Sequence, residues 1–382
     1  MNEVDWGVNR NPREKYWEVL EQLRPYSGET VEGYRQQVQS WCHHLGDLGL
    51  GRLGLPAEEG GNPQELLHLV RCLVHFDLSL FVKFGVHVGL VQGTIARLGS
   101  LHHRSWLELT SGFAQVGCFA MTETDHGSNV RGLETRAVYH PPSEEFVITT
   151  PHRGAWKDYI GSALSARFAI VFAQLDGQGV HPFLVPLRDP DGNLLPDIEV
   201  EDCGPKMGLN GVDNGRLAFH DVRIPRLNLL DRFGAVAADG SYSSSISNPT
   251  KRFFTMLSNL VDGRLSLAAA SYEVSLAGLT RALRYAVQRR QFGPPNQPET
   301  RLLDYQMHQR RLIPRLAITL AIEGGVNLLI DLYKEQQNEE LESFAAALKS
   351  YSTWSVQETL RLCRECCGGS GYLAVNRFAS LK

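Results

Sequence analysis

The sequence predicts an α+β chain in which helices come first, a β domain follows, and helices return. Three observations support this prediction: apolar residues recur at helical spacing near the N-terminus, short β-prone runs crowd the middle, and long helical patterns fill the last third. With 382 residues the chain is long enough for several domains. We expect an N-terminal helical domain at 1–112, a middle antiparallel β domain at 113–233 and a C-terminal helical bundle at 234–382.

The N-terminal region is predicted to be mainly helical. Apolar side chains repeat at helical spacing between Tyr16 and Leu23, and Pro25 ends that pattern. Residues 49–63 are rich in glycine and predict a loop between helices. The helical pattern resumes from residue 63 to residue 112.

The middle region changes to short runs of β-branched and aromatic residues. Turn sequences such as Asp-Pro-Asp-Gly-Asn at 189–193 separate them. The five predicted strands cover residues 146–150, 168–175, 181–187, 198–203 and 216–224.

Helices are predicted again after a linker rich in Gly, Ser, Ala and Asp at 234–249. Three long helical patterns cover residues 251–290, 300–336 and 339–366. Prolines between the first two, at Pro294 and its neighbours, require a break because proline cannot continue a helix.

Composition excludes several classes of protein. Hydrophobic residues make up 43% and charged residues 21%, as in ordinary globular chains. A net charge of −4 predicts no affinity for nucleic acid. The most apolar region is interrupted by charges, so we expect no membrane span. Seven cysteines, an odd number, favour a reducing compartment, and because no second Cys or His pair follows the one Cys-x-x-Cys pair at ligand spacing, we expect no metal site. We expect a cytoplasmic, bacterial-type enzyme.

The most informative motif covers residues 118–131. A β-prone run leads into a Thr-Glu step at Thr122 and then a Gly-Ser turn at Gly127 and Ser128. Such a turn presents N–H groups and hydroxyls in a concave loop, which suits flavin carbonyls or phosphates. The segment closely resembles the signature of the acyl-CoA oxidase and acyl-CoA dehydrogenase flavoenzymes, in its oxidase form. The resemblance covers nearly the whole chain and implies the acyl-CoA dehydrogenase-like fold and FAD as cofactor.

The resemblance implies roles for residues of this first motif. The family's flavin-ring contacts carry over to Phe119, Met121 and Thr122. Ser128 corresponds to a serine near the flavin pyrophosphate or the pantetheine of the substrate, so it is both a cofactor and a substrate candidate.

A second motif, at 156–163, resembles the segment that packs against the flavin N5 edge. There the family places an aromatic residue over the ring and a threonine beside N5, and Tyr159 and Gly161 occupy these positions. Glycine in place of threonine is the oxidase pattern, which leaves room for O2. A simple glycine turn before a strand fits the same spacing. A further segment at 201–216 resembles the oxidase edge near the thioester, and we assign no catalytic residue there.

Two motifs in the last third imply flavin contacts from a neighbouring subunit. Arg289, Gln291 and Phe292 match the family's pyrophosphate-binding segment, although a basic helix end stabilised by the macrodipole fits too. Arg264 matches an arginine near the acyl pocket, with buried packing as the alternative.

The Cys-rich end of the last helix precedes a Gly-Gly-Ser-Gly-Tyr loop. This loop resembles the family loop against the partner's flavin, which implicates Glu365, Gly368 and Gly369. Because Cys363 and Cys366 end a helix instead of beginning one, they do not match a redox pair. Two halves of a flavin contact in one chain predict a homodimer or a dimer of dimers.

The general base is missing from the expected place. The family's catalytic glutamate follows the Gly-Gly loop by some two dozen residues, beyond Lys382. Asp262 is a weak candidate, one position away from a base site used by some relatives. We expect one of three situations: a truncated chain, a split enzyme completed by a second polypeptide, or a flavin-binding relative that has lost the chemistry.

The resemblance therefore implies an enzyme of fatty acid β-oxidation. The expected reaction is FAD-dependent α,β-oxidation of an acyl-CoA or acyl-carrier-protein thioester to the trans-2-enoyl thioester, with O2 reduced to H2O2. The alternatives are a dehydrogenase that passes electrons to an electron-transfer flavoprotein, and a subunit without the base.

Overall fold

A computed structural model describes residues 13–257, 260–334 and 338–381. The chain divides into two compact units, which we call the β unit and the helical unit. The β unit comprises residues 25–66 and 79–260. The helical unit comprises the described part of residues 1–24, 67–78 and 261–382. The division into three domains that we expect from the sequence stays a prediction.

The described part of the β unit contains eleven strands. They are β1 (Gly117–Ala120), β2 (Arg136–His140), β3 (Glu145–Thr149), β4 (Lys157–Ile160), β5 (Phe168–Leu175), β6 (Gly179–Pro186), β7 (Ile198–Asp202), β8 (Gly215–Phe219), β9 (Val222–Pro225), β10 (Ala235–Val236) and β11 (Tyr242–Ser243).

The strands form one six-stranded sheet and two small ones. The large sheet has the order β1-β5-β2-β3-β9 with β6 beside β5, and β4-β8-β7 form a second sheet. The third is the β10-β11 pair. Most pairs are antiparallel as predicted, but β1 and β2 both run parallel to β5, so the β domain is mixed. The chain forms β2, β3 and β4 between β1 and β5, which gives the long connection that a parallel pair needs.

The predicted strand at 216–224 is two strands in different sheets. β8 pairs with β4 and β7, whereas β9 pairs with β3. Between them Asp221 has a φ of 57°, a left-handed conformation that turns the chain. A single run of β-prone residues therefore crosses from one sheet to the other.

β5 lies at the centre of the β unit because both of its faces are apolar. Ala169, Val171 and Ala173 belong to a core shared with Leu217 and Phe219 of the second sheet. The alternate residues Phe168, Ile170 and Phe172 belong to a second core that includes helical residues. This period of two places residues 168–173 of the strand in one apolar core or the other.

Five α-helices accompany these strands in the described part of the β unit. They are α2 (Val31–Asp47), α4 (Leu78–Gly85), α5 (Gly93–Leu98), α6 (Arg104–Ser111) and α7 (Pro249–Leu257). Residues Val86–Gln92 form a π-helical segment that joins α4 to α5. Thr30 begins α2, and its hydroxyl accepts the N–H of Gly33 at 3.1 Å.

The helical unit is built from α1 (Glu14–Gln22), most of α3 (Pro63–Phe76), and three 29-residue helices. These are α8 (Leu260–Gln288), α9 (Gln306–Lys334) and α10 (Asn338–Cys366). The predicted helix at 251–290 is observed as α7 and α8, with residues 258 and 259 outside the described part. The predicted helix at 300–336 begins only at Gln306, because Thr300 exchanges backbone hydrogen bonds with Gln291 and Phe292; residues 335 and 336 lie outside the described part.

A buried carboxylate links three segments of the helical unit. Glu273 of α8 accepts hydrogen bonds from Arg13 at 2.8 Å and from His75 at 2.9 Å, and Arg71 lies 3.5 Å away. Burial raises the pKa of Glu273, but the bond from His75 and the positive charges around it outweigh burial and lower it. The carboxylate therefore stays ionised in the core.

Among the described residues, two helical segments are long and apolar enough to cross a bilayer by length and composition. They are Leu78–Leu98 and Gln306–Tyr333. The sequence predicts no such segment. In the first segment 61% of the most apolar window is buried within the protein, as in a core helix. In the second segment only 28% of that window is buried. The absence of a membrane span stays a prediction.

Candidate active site

A cavity of about 350 Å³ lies within the β unit, at the lower end of the range for small-molecule sites. It includes the two residues predicted from the second motif. Its lining consists of Val82, Lys83, Val86, Tyr159, Gly161, Ser162, Lys206, Gly208, Leu209, Val212 and Asn214.

Tyr159 presents an exposed ring at this cavity from an unusual backbone conformation. Its φ is 58° and 71% of the residue is exposed. The Tyr159 N–H donates to Oδ1 of Asp158 at 2.7 Å, and its carbonyl accepts from Asn214 at 3.0 Å. The irregular pairing of β4 with β8 lies at this point. The ring is therefore available to cover a flat ligand.

Gly161 leaves space beside the ring. A Cβ added there would meet only Cγ1 of Val212, at an ordinary 3.5 Å. The neighbouring atoms therefore leave room for a side chain at this position, so packing alone does not explain the glycine. This fits the prediction that glycine keeps room for a small molecule such as O2, and the role itself stays a prediction.

Thr122 lies beside Tyr159 through its contacts with Asp158. Its hydroxyl donates to the Asp158 carbonyl at 2.9 Å, and its carbonyl accepts the Asp158 N–H at 3.1 Å. In the described part of the chain no acceptor takes the Thr122 N–H. A free N–H and a hydroxyl oxygen beside an exposed aromatic ring and an open glycine fit the polar edge of a flavin.

The other residues of the first motif differ in exposure. Met121 is buried and its carbonyl accepts Nζ of Lys157 at 3.1 Å, while Phe119 packs on Phe172 with ring centroids 5.1 Å apart. Ser128 is exposed and Gly127 has open space around it, as a ligand-binding loop requires. Their flavin and substrate contacts stay predictions.

A buried ion pair joins Glu123 of the first motif to Lys157 of β4, and the sequence did not predict it. Nζ of Lys157 donates to Oε1 of Glu123 at 2.9 Å and to the carbonyl of Phe172 at 2.7 Å. Burial lowers the pKa of Lys157 to about 8, although Glu123 opposes the shift. For Glu123, burial raises the pKa, but the charge of Lys157 and hydrogen bonds from Thr135 outweigh it and lower the pKa.

No carboxylate lines the cavity. None of its eleven lining residues is Asp or Glu. The adjacent Asp213 is engaged by Nζ of Lys83 at 2.5 Å and by the hydroxyl of Ser165 at 2.7 Å. Among the described residues of this unit, the cavity therefore offers no evident general base.

The helical unit holds the remaining candidates. Arg289, Gln291 and Phe292 are exposed on the segment that follows α8, and Phe292 has a φ of 58°. This exposure leaves the Arg289 guanidinium accessible, as binding of a diphosphate requires. The three assignments stay predictions.

The end of α10 also departs partly from the expectation. The Glu365 carboxylate is engaged by Arg311 and Arg361, so it has less capacity for a ligand than the motif suggests. Gly368 has a φ of 55°, a conformation that favours glycine, and a Cβ on Gly369 would meet nothing. Burial raises the pKa of the Cys363 thiol well above its ordinary value, as expected for an unreactive cysteine.

Asp262 and Arg264 are both half-buried near the start of α8. Asp262 lies in the first turn, where an acidic side chain stabilises the helix through the macrodipole. This position explains an acid here without a catalytic role, and both assignments stay predictions.

A group of possible metal ligands appears where the sequence suggested none. Ligand atoms of His102, His103 and Asp231 lie within 4.8 Å of one another. His103 is already engaged, because one ring nitrogen bonds the N–H of Ser100 and the other bonds the carbonyl of Leu227. Only His102 and Asp231 remain, which is too few for a closed site.

Comparison with known families defines the class of protein first. Residues 118–222 match the family "Acyl-CoA dehydrogenase, middle domain", and residues 257–382 match "Acyl-CoA oxidase, C-alpha1 domain". The fold is that of acyl-CoA oxidases and dehydrogenases, with helical, middle β and helical parts.

Individual relatives agree. The chain is 45% identical over 341 residues to peroxisomal acyl-coenzyme A oxidase 2 of Arabidopsis thaliana, covering 84% of this chain and 49% of the relative. The crystal structure of acyl-CoA oxidase 1 from Yarrowia lipolytica matches with a TM-score of 0.87 and 31% identity, covering 97% of this chain and 57% of that one. The chain belongs to the acyl-CoA oxidase family.

A second solved structure is informative about ligands. Acyl-CoA oxidase 2 of Caenorhabditis elegans, solved with FAD, ascaroside-CoA and ATP, has a TM-score of 0.80 and 29% identity, covering 98% of this chain and 59% of that one. The chain spans about half the length of the curated relatives it matches.

Proposed function

We propose that this chain is the flavin-binding part of an acyl-CoA oxidase, which converts an acyl-CoA and O2 to the trans-2-enoyl-CoA and H2O2. The observation that carries the proposal is the cavity in the β unit, where Tyr159, Gly161 and the neighbouring Thr122 offer an aromatic ring, open space and a free N–H. Membership of the acyl-CoA oxidase family and the FAD-bound relative support FAD as the cofactor.

Bound FAD would supply the acceptor for the β-hydride and for reoxidation by O2. The residues of this chain would bind and orient it. Thr122 would offer its N–H and hydroxyl oxygen to the ring edge, Tyr159 would cover one face, and Gly161 would leave access for O2. The apolar lining from Val82, Val86 and Leu209 would exclude water from the acyl group.

The base that removes the α-proton has no assignment among the residues that line the cavity. This observation favours a second candidate, a subunit that binds flavin and thioester but receives its carboxylate from another polypeptide or lacks it. Asp262 stays the weak candidate within the chain. General-base catalysis contributes about a hundredfold to ten-thousandfold, so the two candidates differ widely in turnover.

Mixing the FAD-loaded protein with an acyl-CoA without oxygen tests the proposal. Loss of the visible flavin absorbance, followed by stoichiometric H2O2 when O2 is admitted, is the expected result for an oxidase. Flavin that is reduced but reoxidised only by an electron-transfer flavoprotein would indicate a dehydrogenase. Tight acyl-CoA binding without bleaching would favour the second candidate.

A homodimer or dimer of dimers is part of the same proposal. Large apolar side chains are exposed along α9 and α10, including Leu320 and Leu328 at 51% and Trp354 at 76%. Exposed apolar surface of this kind is typical of subunit interfaces. Light scattering of the FAD-bound protein is expected to give a multiple of the chain mass.

The expected bacterial-type origin is not part of this proposal, and the cellular location has yet to be measured. A bacterial-type enzyme finds no support in the relatives, which come from plants, yeast and animals. A cytoplasmic location stays a prediction that imaging of the tagged protein in its own cells would test.

A further inference from the structure

Asp158 is a buried carboxylate in β4 to which the proposed mechanism gives no role. Its side chain is 2% exposed. Oδ1 accepts the N–H of Tyr159 at 2.7 Å and lies 3.9 Å from the sulfur of Cys203. Oδ2 accepts Nε of Arg216 at 3.1 Å and the hydroxyl of Thr124 at 3.2 Å. Each carboxylate oxygen of Asp158 thus has two neighbours, and one of these, Tyr159, lines the cavity.

The bond to Tyr159 falls on a strained residue. A non-glycine residue reaches positive φ at an energetic cost, so the surroundings must hold it there. At Tyr159 these surroundings are Asp158 on the N–H side and Asn214 on the carbonyl side. The exposed ring has no comparable support, since 71% of the residue is solvent-accessible. The ring direction therefore depends on the backbone that Asp158 fixes.

The main chain of Asp158 also reaches the other predicted flavin contact. Its N–H and carbonyl form both hydrogen bonds that join β4 to Thr122. One residue therefore connects the strand end that carries Thr122 with the turn that carries Tyr159.

We propose that Asp158 is a positioning residue, whose carboxylate holds Tyr159 in the left-handed conformation and so sets the ring against the flavin face. The inference rests on the proposed function, because Tyr159 acts there on bound flavin. The competing explanation is that Asp158 only neutralises Arg216. That pair leads to the surface, where Arg216 also lies 3.6 Å from Glu201.

Variants separate the two explanations. Asp158→Ala removes the acceptor for the Tyr159 N–H, whereas Arg216→Gln removes the charge pair and keeps that acceptor. Asp158→Asn is the conservative variant, since its amide oxygen can still accept the N–H. Dissociation constants for FAD, from quenching of flavin fluorescence, and the visible spectrum of the bound flavin are the readouts.

We expect Asp158→Ala to weaken FAD binding about tenfold and to shift the flavin spectrum, as for loss of one hydrogen bond to a charged group. Arg216→Gln and Asp158→Asn should stay within about twofold of the parent. In a Tyr159→Gly background, where the backbone reaches positive φ freely and the ring is gone, Asp158→Ala should add little.

Equal losses of FAD affinity in Asp158→Ala and Arg216→Gln would overturn the inference. An unchanged flavin spectrum and FAD affinity in Asp158→Ala would also overturn it. The same would follow if Asp158→Ala weakened FAD binding as much in the Tyr159→Gly background as in the parent chain. If Asp158→Ala does not fold alone, the double variant with Arg216→Gln removes the unpaired charge and gives the same comparison. A parent chain that binds no FAD would instead refute the proposed function.

Discussion

Replacing Glu123 by glutamine is expected to destabilise the chain by about 3–5 kcal/mol at pH 7, as for other buried ion pairs from which one partner is removed. Both Glu123 and Lys157 have side chains that are 0% exposed, with Nζ and Oε1 2.9 Å apart. The neutral amide leaves the ammonium with two carbonyls and no compensating charge. It also places an NH2 group among the donors of Glu134 and Thr135, which the carboxylate now accepts.

Urea unfolding at pH 7, followed by tryptophan fluorescence, measures this change as a shift in midpoint at constant m. Glu144→Gln is the matched control, because its pair with Arg226 is half-exposed and should contribute less than about 1 kcal/mol. The reasoning would be refuted if Glu123→Gln lowered the free energy of unfolding no more than the control does. In the double variant with Lys157→Met, the total loss should be smaller than the sum of the single losses.

The same pair predicts a pH dependence. Because burial lowers the pKa of Lys157 from 10.5 to about 8, the unfolded state binds more protons between these values. Stability should therefore rise with pH in that window, by about 3 kcal/mol from this group alone. The lowered pKa of Glu123 contributes stability that is present above its unfolded value and is lost as pH falls through the folded value. In Lys157→Met the rise above pH 8 should disappear.

Four further predictions concern other sites. Gly117→Ala should cost about 1–3 kcal/mol in urea unfolding, because its Cβ would lie 2.5 Å from the ring of Phe168; an unchanged midpoint would contradict this packing. Glu273→Gln should cost about 3–5 kcal/mol by the same assay, since two arginines and a histidine would lose their buried partner; a loss below that of an exposed pair would count against it. Leu320→Lys should lower the mass found by light scattering if α9 forms the subunit interface, and an unchanged oligomer would exclude that face. Asp262→Asn should leave the loss of flavin absorbance on anaerobic mixing with acyl-CoA unchanged. If the variant no longer loses this absorbance, Asp262 would instead be identified as the base.

The sequence predicted best what local patterns determine. β5 was predicted at its observed bounds because it is one apolar run between turns, buried on both faces. Tyr159 and Gly161 were found through a motif, and both line the cavity. Strand direction was less accessible, since alternation is the same in parallel and antiparallel pairs, and the β1–β5 contact was therefore missed.

Contacts between distant residues could not be predicted. Lys83 meets Asp213 across 130 positions, and Lys157 meets Glu123 only because β4 pairs with the segment after β1 in one register. A lysine or glutamate in such a segment has no local signal of its partner. Asp158 was overlooked for the same reason, although it lies next to a predicted site residue.

Binding of FAD tests the central claim most directly. Titration of FAD into the purified chain, followed by flavin fluorescence, is expected to show saturable quenching at one FAD per chain. Thr122→Val should weaken that binding modestly, because one hydrogen bond contributes about 1 kcal/mol. The absence of saturable quenching, with the chain folded by circular dichroism, would contradict the account.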